Sequence, residues 1–330
     1  MKICSLNARG LGNLKKRRDV FHYLRGHNFD IICLQDTHFT AKQEAHIQCE
    51  WGYKCLFSSY SSAARGTAIL FKNSFEHEIH STSRDINGNF IIVDLTIENH
   101  KMTLVNLYGP NNDEPWFYTN LQNKIKQLNN QNIIMVGDWN LLLDPNIDGK
   151  NYRHINNPRA KEEVLKIMND LNLCDVWREE NPDKARFTWR RSMQNKDTQM
   201  GRLDFFLVSD PLLTWTVNQN IEIGYRSDHS VITLEIKLND TQKRKTFWKF
   251  NNSLLHSEEY AKEVRRTILE VKKQYAASPY NPDKLNDIPN EQFEATINPT
   301  LFLEILLMEI RKTTIAKAAE LKKDKKGSRT

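Results

Sequence analysis

Ile133-Ile134-Met135-Val136-Gly137-Asp138-Trp139-Asn140 sets an unbroken apolar run against a closing group of glycine, acid, indole and carboxamide. The run predicts a strand, and the polar group marks where that strand ends. Three other runs close in the same way: Cys4–Leu6 on Asn7, Ile31–Leu34 on Gln35-Asp36-Thr37-His38, and Leu104–Leu107 on Tyr108-Gly109-Pro110-Asn111. Two runs begin with such a group instead. Arg202-Leu203-Asp204 leads into Phe205–Val208, and Ser227-Asp228-His229 leads into Val231–Ile236. If the last two strands lie antiparallel to the first four, all six groups meet at one edge of the fold.

Further strands are expected over Lys54–Phe57, Thr67–Phe71 and Phe90–Ile97. One helix should be entered through Pro115 with Asp113 as its cap, and another through Asn157-Pro158. Many strands with few crossover helices predict an α/β (α+β) protein built on a mainly antiparallel β-sandwich flanked by helices. After Leu238 the pattern changes. The segment Phe247–Leu255 (FWKFNNSLL) leads to a charged helix near Ser257–Tyr275, a Pro- and Asn-rich stretch, and a closing helix with Leu301, Ile305, Leu306, Met308 and Ile310, whose apolar stripe needs a cover. We therefore expect residues 1–238 to form the main domain and 239–330 a basic, largely helical connector.

The edge so assembled would be lined by Asp36, Asp138, Asp204 and Asp228, by Asn7, Asn111 and Asn140, and by Tyr108 and His229. Singly, most of these have ordinary readings. Asn7 and Asn140 suit strand-end turns, Asp36 and Asp138 suit caps, Tyr108 suits half-buried packing, and Arg202 suits pairing with a neighbouring acid. His229, beside Asp228 and directly before an apolar strand, reads as functional. Together they point elsewhere, because close carboxylates repel one another unless a cation joins them. A hard divalent ion is the natural partner. Mg²⁺, or Mn²⁺ in its place, takes one or two carboxylates plus phosphate oxygens and water, and phosphodiester cleavage gives the other groups a use.

At these residues the sequence resembles the endonuclease/exonuclease/phosphatase superfamily. The motifs are SLNARGL at Ser5–Leu11, LQDTH at Leu34–His38, NLYGPN at Asn106–Asn111, GDWN at Gly137–Asn140, GRLDFFLVS at Gly201–Ser209 and SDHS at Ser227–Ser230. Within it, the chain looks most like the apurinic-endonuclease-like nucleases of LINE-type retrotransposon polyproteins. The resemblance implies a DNase I-like two-sheet sandwich that nicks double-stranded DNA as a monomer, with a reverse transcriptase module that this chain lacks as its polyprotein neighbour. It implies Asp36 as the metal-binding acid with Asn7 as ligand or phosphate contact, Asp138 orienting the water, and Asn140 contacting the phosphate. Tyr108 and Asn111 would position the scissile group. His229 would bond the phosphate or shuttle a proton with its tautomer fixed by Asp228, and Asp204 would support the acids. Arg202, Thr188 and Ser227 would face substrate, as would Arg190 and Arg191 on a basic hairpin spanning Arg190–Lys196. Two positions depart from the family pattern: Asp36 stands where Glu is usual, and Gly201 where Ser is common. Other members of the superfamily hydrolyse phosphomonoesters or phosphoinositides, and the shorter Asp36 leaves open a non-catalytic nucleic-acid-binding module.

Charge says less. The chain carries a formal +6, but residues 1–238 hold 29 Lys and Arg against 28 Asp and Glu, so the excess lies in the tail. The five cysteines, Cys4, Cys33, Cys49, Cys55 and Cys174, lack C-x-x-C spacing and read as reduced thiols of an intracellular protein. No run suits a membrane span. Access to chromosomal DNA implies the nucleus, with Lys322–Lys326 as a weak import signal.

Overall fold

The computed structural model describes residues 1–152, 156–193, 196–238, 254, 257–277 and 293–327. The chain divides into two compact units, Met1–Thr246 and Phe247–Thr330. In the first unit the strands are β1 (Lys2–Asn7), β2 (Ile31–Gln35), β3 (Cys55–Ser58), β4 (Thr67–Phe71), β5 (Glu78–Arg84), β6 (Phe90–Ile97), β7 (His100–Tyr108), β8 (Ile133–Asp138), β9 (Gly149–Lys150), β10 (Leu173–Asp175), β11 (Trp189–Met193), β12 (Lys196–Gly201), β13 (Asp204–Ser209), β14 (Thr216–Glu222) and β15 (Val231–Ile236).

Two six-stranded sheets are built to one plan, in the orders β14-β15-β1-β2-β4-β3 and β10-β13-β8-β7-β6-β5. Each is antiparallel except for one central parallel pair, β1 with β2 and β7 with β8. The antiparallel partners are the expected ones: β15 lies against β1, and β13 against β8. Thus the strands that end in polar groups and the strands that begin with them share one edge.

The unbroken apolar runs are explained by burial on both faces, since side chains alternate along a strand. Along β8, Ile134 and Val136 join Ile3, Cys33, Val93 and Phe206 between the sheets. Their neighbours Ile133 and Met135 face outward under the helices Pro115–Gln127 and Pro158–Asp170, against Leu121, Ile125, Val164 and Ile167. The other sheet is covered likewise, with Leu6, Ile32 and Leu34 beneath Val20, Phe21 and Leu24 of the helix Leu14–Gly26. The sequence reading passed over β5 and β14, whose mixed polar composition suits edge strands, and the small third sheet β11-β12-β9.

One cap is exchanged between helices. Asp113 does not cap the helix at Pro115, whose first turn follows Glu114 without a side-chain bond. Its carboxylate instead accepts from Ala160 N at 2.8 Å and pairs with Arg159 at 3.1 Å, so it caps the neighbouring helix. Asn157, expected to open that helix, has left-handed φ (+34°) and donates its amide to the carbonyls of Asn111 and Asn140.

In the second unit the helices Glu258–Tyr275 and Pro299–Gly327 pack antiparallel: Tyr260 bonds Thr314 at 2.8 Å near one end, and Tyr275 meets Phe302 near the other. Leu301, Leu303, Leu307 and Met308 stay exposed on the long helix. Of the segment Phe247–Leu255 in the expected connector only Leu254 lies within the described residues, and the side chains of Lys322–Lys326 lie outside them. Among the described residues no helix is long and apolar enough to cross a membrane.

Candidate active site

Strand register brings the site together. Tyr108 on β7 and Asp204 on β13 both stand opposite Asp138, the last residue of β8. Gly137 lets the strands close up at this point: its φ is +151°, and a Cβ there would lie 1.8 Å from Leu107 O. The two sheets are tied at the same edge, where Asn7 Nδ2 donates to Asp138 Oδ2 at 2.8 Å. Just beneath, Gln35 donates to Asn106 Oδ1 at 2.7 Å, and Asn106 donates to Leu34 O and Ala68 O. Both side chains are fully buried, so these bonds hold the sheets in a fixed relation.

Around Asp138 the groups form a relay. Its Oδ1 accepts from Asn140 N at 3.0 Å. His229 Nδ1 bonds Asp204 Oδ2 at 2.8 Å, and its Nε2 lies 3.8 Å from Asp138 Oδ2. Burial raises the Asp138 carboxyl, and Asp204 raises it further, to about 7 against the opposing pull of His229. Burial disfavours the His229 imidazolium, but Asp204 and Asp138 outweigh it and raise the ring to about 9. Burial, then Asp138 and Asp36, push the Tyr108 phenol well above its ordinary range, while hydrogen bonds with Asn111 and Asn140 oppose the rise.

A cleft of about 210 Å³ opens onto these residues, lined also by Asn7, Arg9, Asp36, Tyr152, Trp189, Leu203 and Asp228. Asp36 sits in left-handed backbone (φ +49°), with Oδ1 bonded by His38 Nε2 at 3.0 Å and Arg65 N at 3.1 Å. Such a strained conformation on a residue other than glycine is typical of functional turns. Asp204 Oδ1 and Asp228 Oδ1 are buried without a hydrogen-bond partner among the described residues. A carboxylate-rich cleft with unmatched oxygens fits a divalent cation, and Asp36 offers it an acid outside the relay. Donor atoms of Asp138, Asp204 and His229 also lie within 4.8 Å of one another. There the imidazole is already hydrogen-bonded to Asp204, so the relay accounts for that trio.

Five of the expected residues have protein partners that the sequence did not indicate. Arg202 does not face substrate: it is buried, with Nε 2.7 Å from Asp148 and Nη2 2.6 Å from Asp175, because a buried guanidinium must be matched by acids. Thr188 is also buried, and its hydroxyl accepts from Leu203 N and Asp204 N at 3.0 Å, fixing the start of β13. Ser227 donates to Asn7 O at 2.7 Å and accepts from His229 N, and so holds the loop that carries His229. Asn7 is engaged at both ends, its oxygen accepting from Arg9 N at 2.9 Å while its amide ties the two sheets at Asp138. Asp204, not Asp228, fixes the His229 ring, while Asp228 pairs with Arg9 at 3.1 Å.

Arg190 and Arg191 are exposed on β11, and the hairpin tip Gln194-Asn195 lies outside the described residues. The hairpin base is tied to the relay through Arg190 N to Asp228 O at 3.2 Å and Ser230 N to Thr188 O at 2.6 Å. Sequence reading missed Arg9, His38, Tyr152 and Trp189. Of these, Arg9 and His38 stood inside quoted motifs next to chosen residues. Gly201, where Ser is common, is accounted for by packing: a Cβ would meet Tyr152 at 3.2 Å.

Two twin-plan sheets with an Asp–His–Asp relay at their shared edge define a DNase I-like phosphoesterase architecture. The chain belongs to the Endonuclease/Exonuclease/phosphatase family, whose model matches residues 4–229 and so spans all six strand-end groups. It is 27% identical over 274 residues to the uncharacterized 149 kDa protein of transposon TX1 from Xenopus laevis, covering 81% of this chain and 20% of that protein, so it spans about a fifth of that relative. It is 25% identical over 264 residues to an exodeoxyribonuclease of Bacillus subtilis, covering 72% of this chain and 100% of the relative. The fold is similar to that of the AP endonuclease LMAP of Leishmania major, with TM-score 0.62 and 18% identity, over 72% of this chain and 88% of that one.

Proposed function

We propose that this chain is a divalent-metal-dependent endonuclease that nicks double-stranded DNA, with Mg²⁺ as the working ion and Mn²⁺ able to replace it. The observation that carries the reading is the buried relay Asp204–His229–Asp138 opening onto a cleft that also holds Asp36, Tyr108, Asn111 and Asn140. The exodeoxyribonuclease and transposon relatives support DNA as the substrate.

A cation held by Asp36 would supply positive charge to the phosphate and to the leaving oxygen. The chain's own residues do the rest. Asp138, fixed by Asn7 and by Asn140 N, orients a water for attack on phosphorus. Asp204 holds His229 so that Nε2 remains for a phosphate oxygen, and the charged ring stabilises the negative charge that develops there. Tyr108 keeps its proton, because burial and two acids oppose ionisation, and so acts as a hydrogen-bond donor to the phosphate beside Asn111. In a transposon setting the nick would open the target site for a following reverse transcriptase module, and such action on chromosomal DNA would require access to the nucleus.

The test is relaxation of supercoiled plasmid with Mg²⁺ or EDTA, with His229→Ala as control. Nicking that requires Mg²⁺ and vanishes in the variant is expected. A folded protein that binds DNA but never nicks across Mg²⁺ and Mn²⁺ concentrations would instead identify a binding module, and release of phosphate from a phosphoinositide would identify a phosphatase.

A further inference from the structure

Catalysis as proposed draws on Asp36, Asp138 and Asp204 but on only one cationic group, His229. Among the described residues that line the cleft, Arg9 is the sole Arg or Lys, set against Asp36, Asp138 and Asp228. A DNA backbone entering such a place meets repulsion unless a cation faces it, in addition to any bound metal.

Arg9 is built into the turn after β1 in a way that fixes its backbone and frees its side chain. Its φ is +47°, a conformation that costs energy for a residue with a Cβ and that asparagine or glycine would adopt more easily. Arg9 N is held by Asn7 Oδ1 at 2.9 Å, and Lys16 Nζ donates to the carbonyls of Ala8 and Arg9, each at 2.8 Å. The side chain is 67% exposed, and among the described residues its one ion pair is with Asp228 Oδ2 at 3.1 Å. A half-solvated pair of this kind contributes little, whereas a phosphate can take two parallel bonds from a guanidinium.

Position adds a second, independent observation. Beside the cleft runs a wider groove of about 790 Å³, which Arg9 also lines, together with Arg65, Ile86 and Trp116. Ile86 is 88% exposed and Trp116 62% exposed, so both offer the groove apolar surface on which a base or sugar can pack. Arg9 thus stands where the catalytic cleft passes into the groove.

We propose that Arg9 grips the DNA backbone phosphate at this seam, leaving Asp228 when the strand enters, so that the strand continues along the groove past Ile86 and Trp116. The proposal rests on the nuclease reading above.

The experiment measures binding rather than cleavage. In a His229→Ala background with EDTA, binding of a fluorescent DNA duplex is followed by anisotropy over a range of salt concentrations. Arg9→Asn is the informative variant because asparagine tolerates the left-handed turn. It should weaken binding roughly tenfold and make the slope of log K against log salt shallower by about one, the signature of one lost phosphate contact. Arg9→Lys should restore the slope but only part of the affinity, and Asp228→Asn, which releases Arg9, should tighten binding. An unchanged salt slope in Arg9→Asn, with unchanged thermal stability, overturns the proposal while leaving the nuclease reading intact. Failure of the background protein to bind any duplex, together with absent nicking by the unaltered chain, overturns both.

Discussion

Two buried charge clusters lie two residues apart on the chain, one centred on Arg202 and the other on Asp204. In the first, Arg202 and Arg178 pair with Asp148, and Arg202 also pairs with Asp175, so cations and acids balance. In the second, His229 is the one cation paired with Asp204 and Asp138 among the described residues, which also give Asp204 Oδ1 no partner. The acids respond in opposite ways. Burial raises the Asp148 carboxyl, but Arg202 and Arg178 outweigh it and hold the group below the usual range, whereas burial and Asp204 raise Asp138 to about 7. The balanced cluster holds structure together. The unbalanced one keeps repulsion that a substrate, water or cation can relieve, as catalytic sites do.

The same substitution made in each cluster should break this contrast if it is wrong. Asp138→Asn should reduce plasmid nicking by about 10³-fold or more, because it removes the group that orients the water. Its stability should be unchanged or slightly higher, since a neutral amide relieves the repulsion from Asp204. A loss of several kcal/mol in denaturant unfolding would show that the relay is structural after all. Asp148→Asn should do the reverse. Buried Arg202 and half-buried Arg178 lose a shared acid, and unfolding should cost about 3–5 kcal/mol less than in the parent, while the folded fraction keeps its nicking activity.

The difference between the clusters was only partly legible in the sequence. The edge could be assembled from six polar groups because the strands that carry them are covered on both faces and so read as plain apolar runs. The partners inside the edge could not. Asp228 is the chain neighbour of His229, yet Asp204 holds the ring, because register across β8 and β13 puts Asp204 beside Asp138. Likewise Arg202 needed two acids, and nothing local pointed to Asp148 or Asp175, 54 and 27 positions away in the chain. Asp113 shows the same limit in a helix cap: it stands one residue before the N-cap of one helix and bonds the first turn of another. Chain neighbourhood reveals which chemistry gathers, whereas tertiary register decides who pairs with whom.

The contrast also fixes a sign for pH. Asp138 and His229 both have folded values above their unfolded ones, so the native state binds protons more tightly than the unfolded chain does. Stability from the relay should therefore fall as pH rises, first from about 4 to about 7 for Asp138 and then from about 6.5 to about 9 for His229. Asp148, held low, acts oppositely: its contribution is present above its unfolded value and is lost only as pH falls below it. Denaturant unfolding in EDTA, followed upward from about pH 5, should show a decline that reaches at most about 1.4 kcal/mol per pH unit for each of the two groups. Asp138→Asn should flatten the lower part of that decline and His229→Gln the upper part. Curves that superimpose on the parent would assign the decline to groups outside the relay.

The smallest effect concerns the acid at the rim. Asp36 is one methylene shorter than the family's usual Glu, and its Oδ1 is already shared by His38 and Arg65 N. Mg²⁺ tolerates little departure from ligand distances of about 2.0–2.1 Å, so a carboxylate that sits too far back binds through water or binds weakly. Asp36→Glu should therefore lower the Mg²⁺ concentration for half-maximal nicking by a few-fold, with little change at saturating metal. His38 and the left-handed turn resist the change, because the longer side chain must find a new place for the oxygen they now hold. If the variant needs more Mg²⁺ than the parent, the turn has been shaped around aspartate, and the shorter acid is then the fitted one.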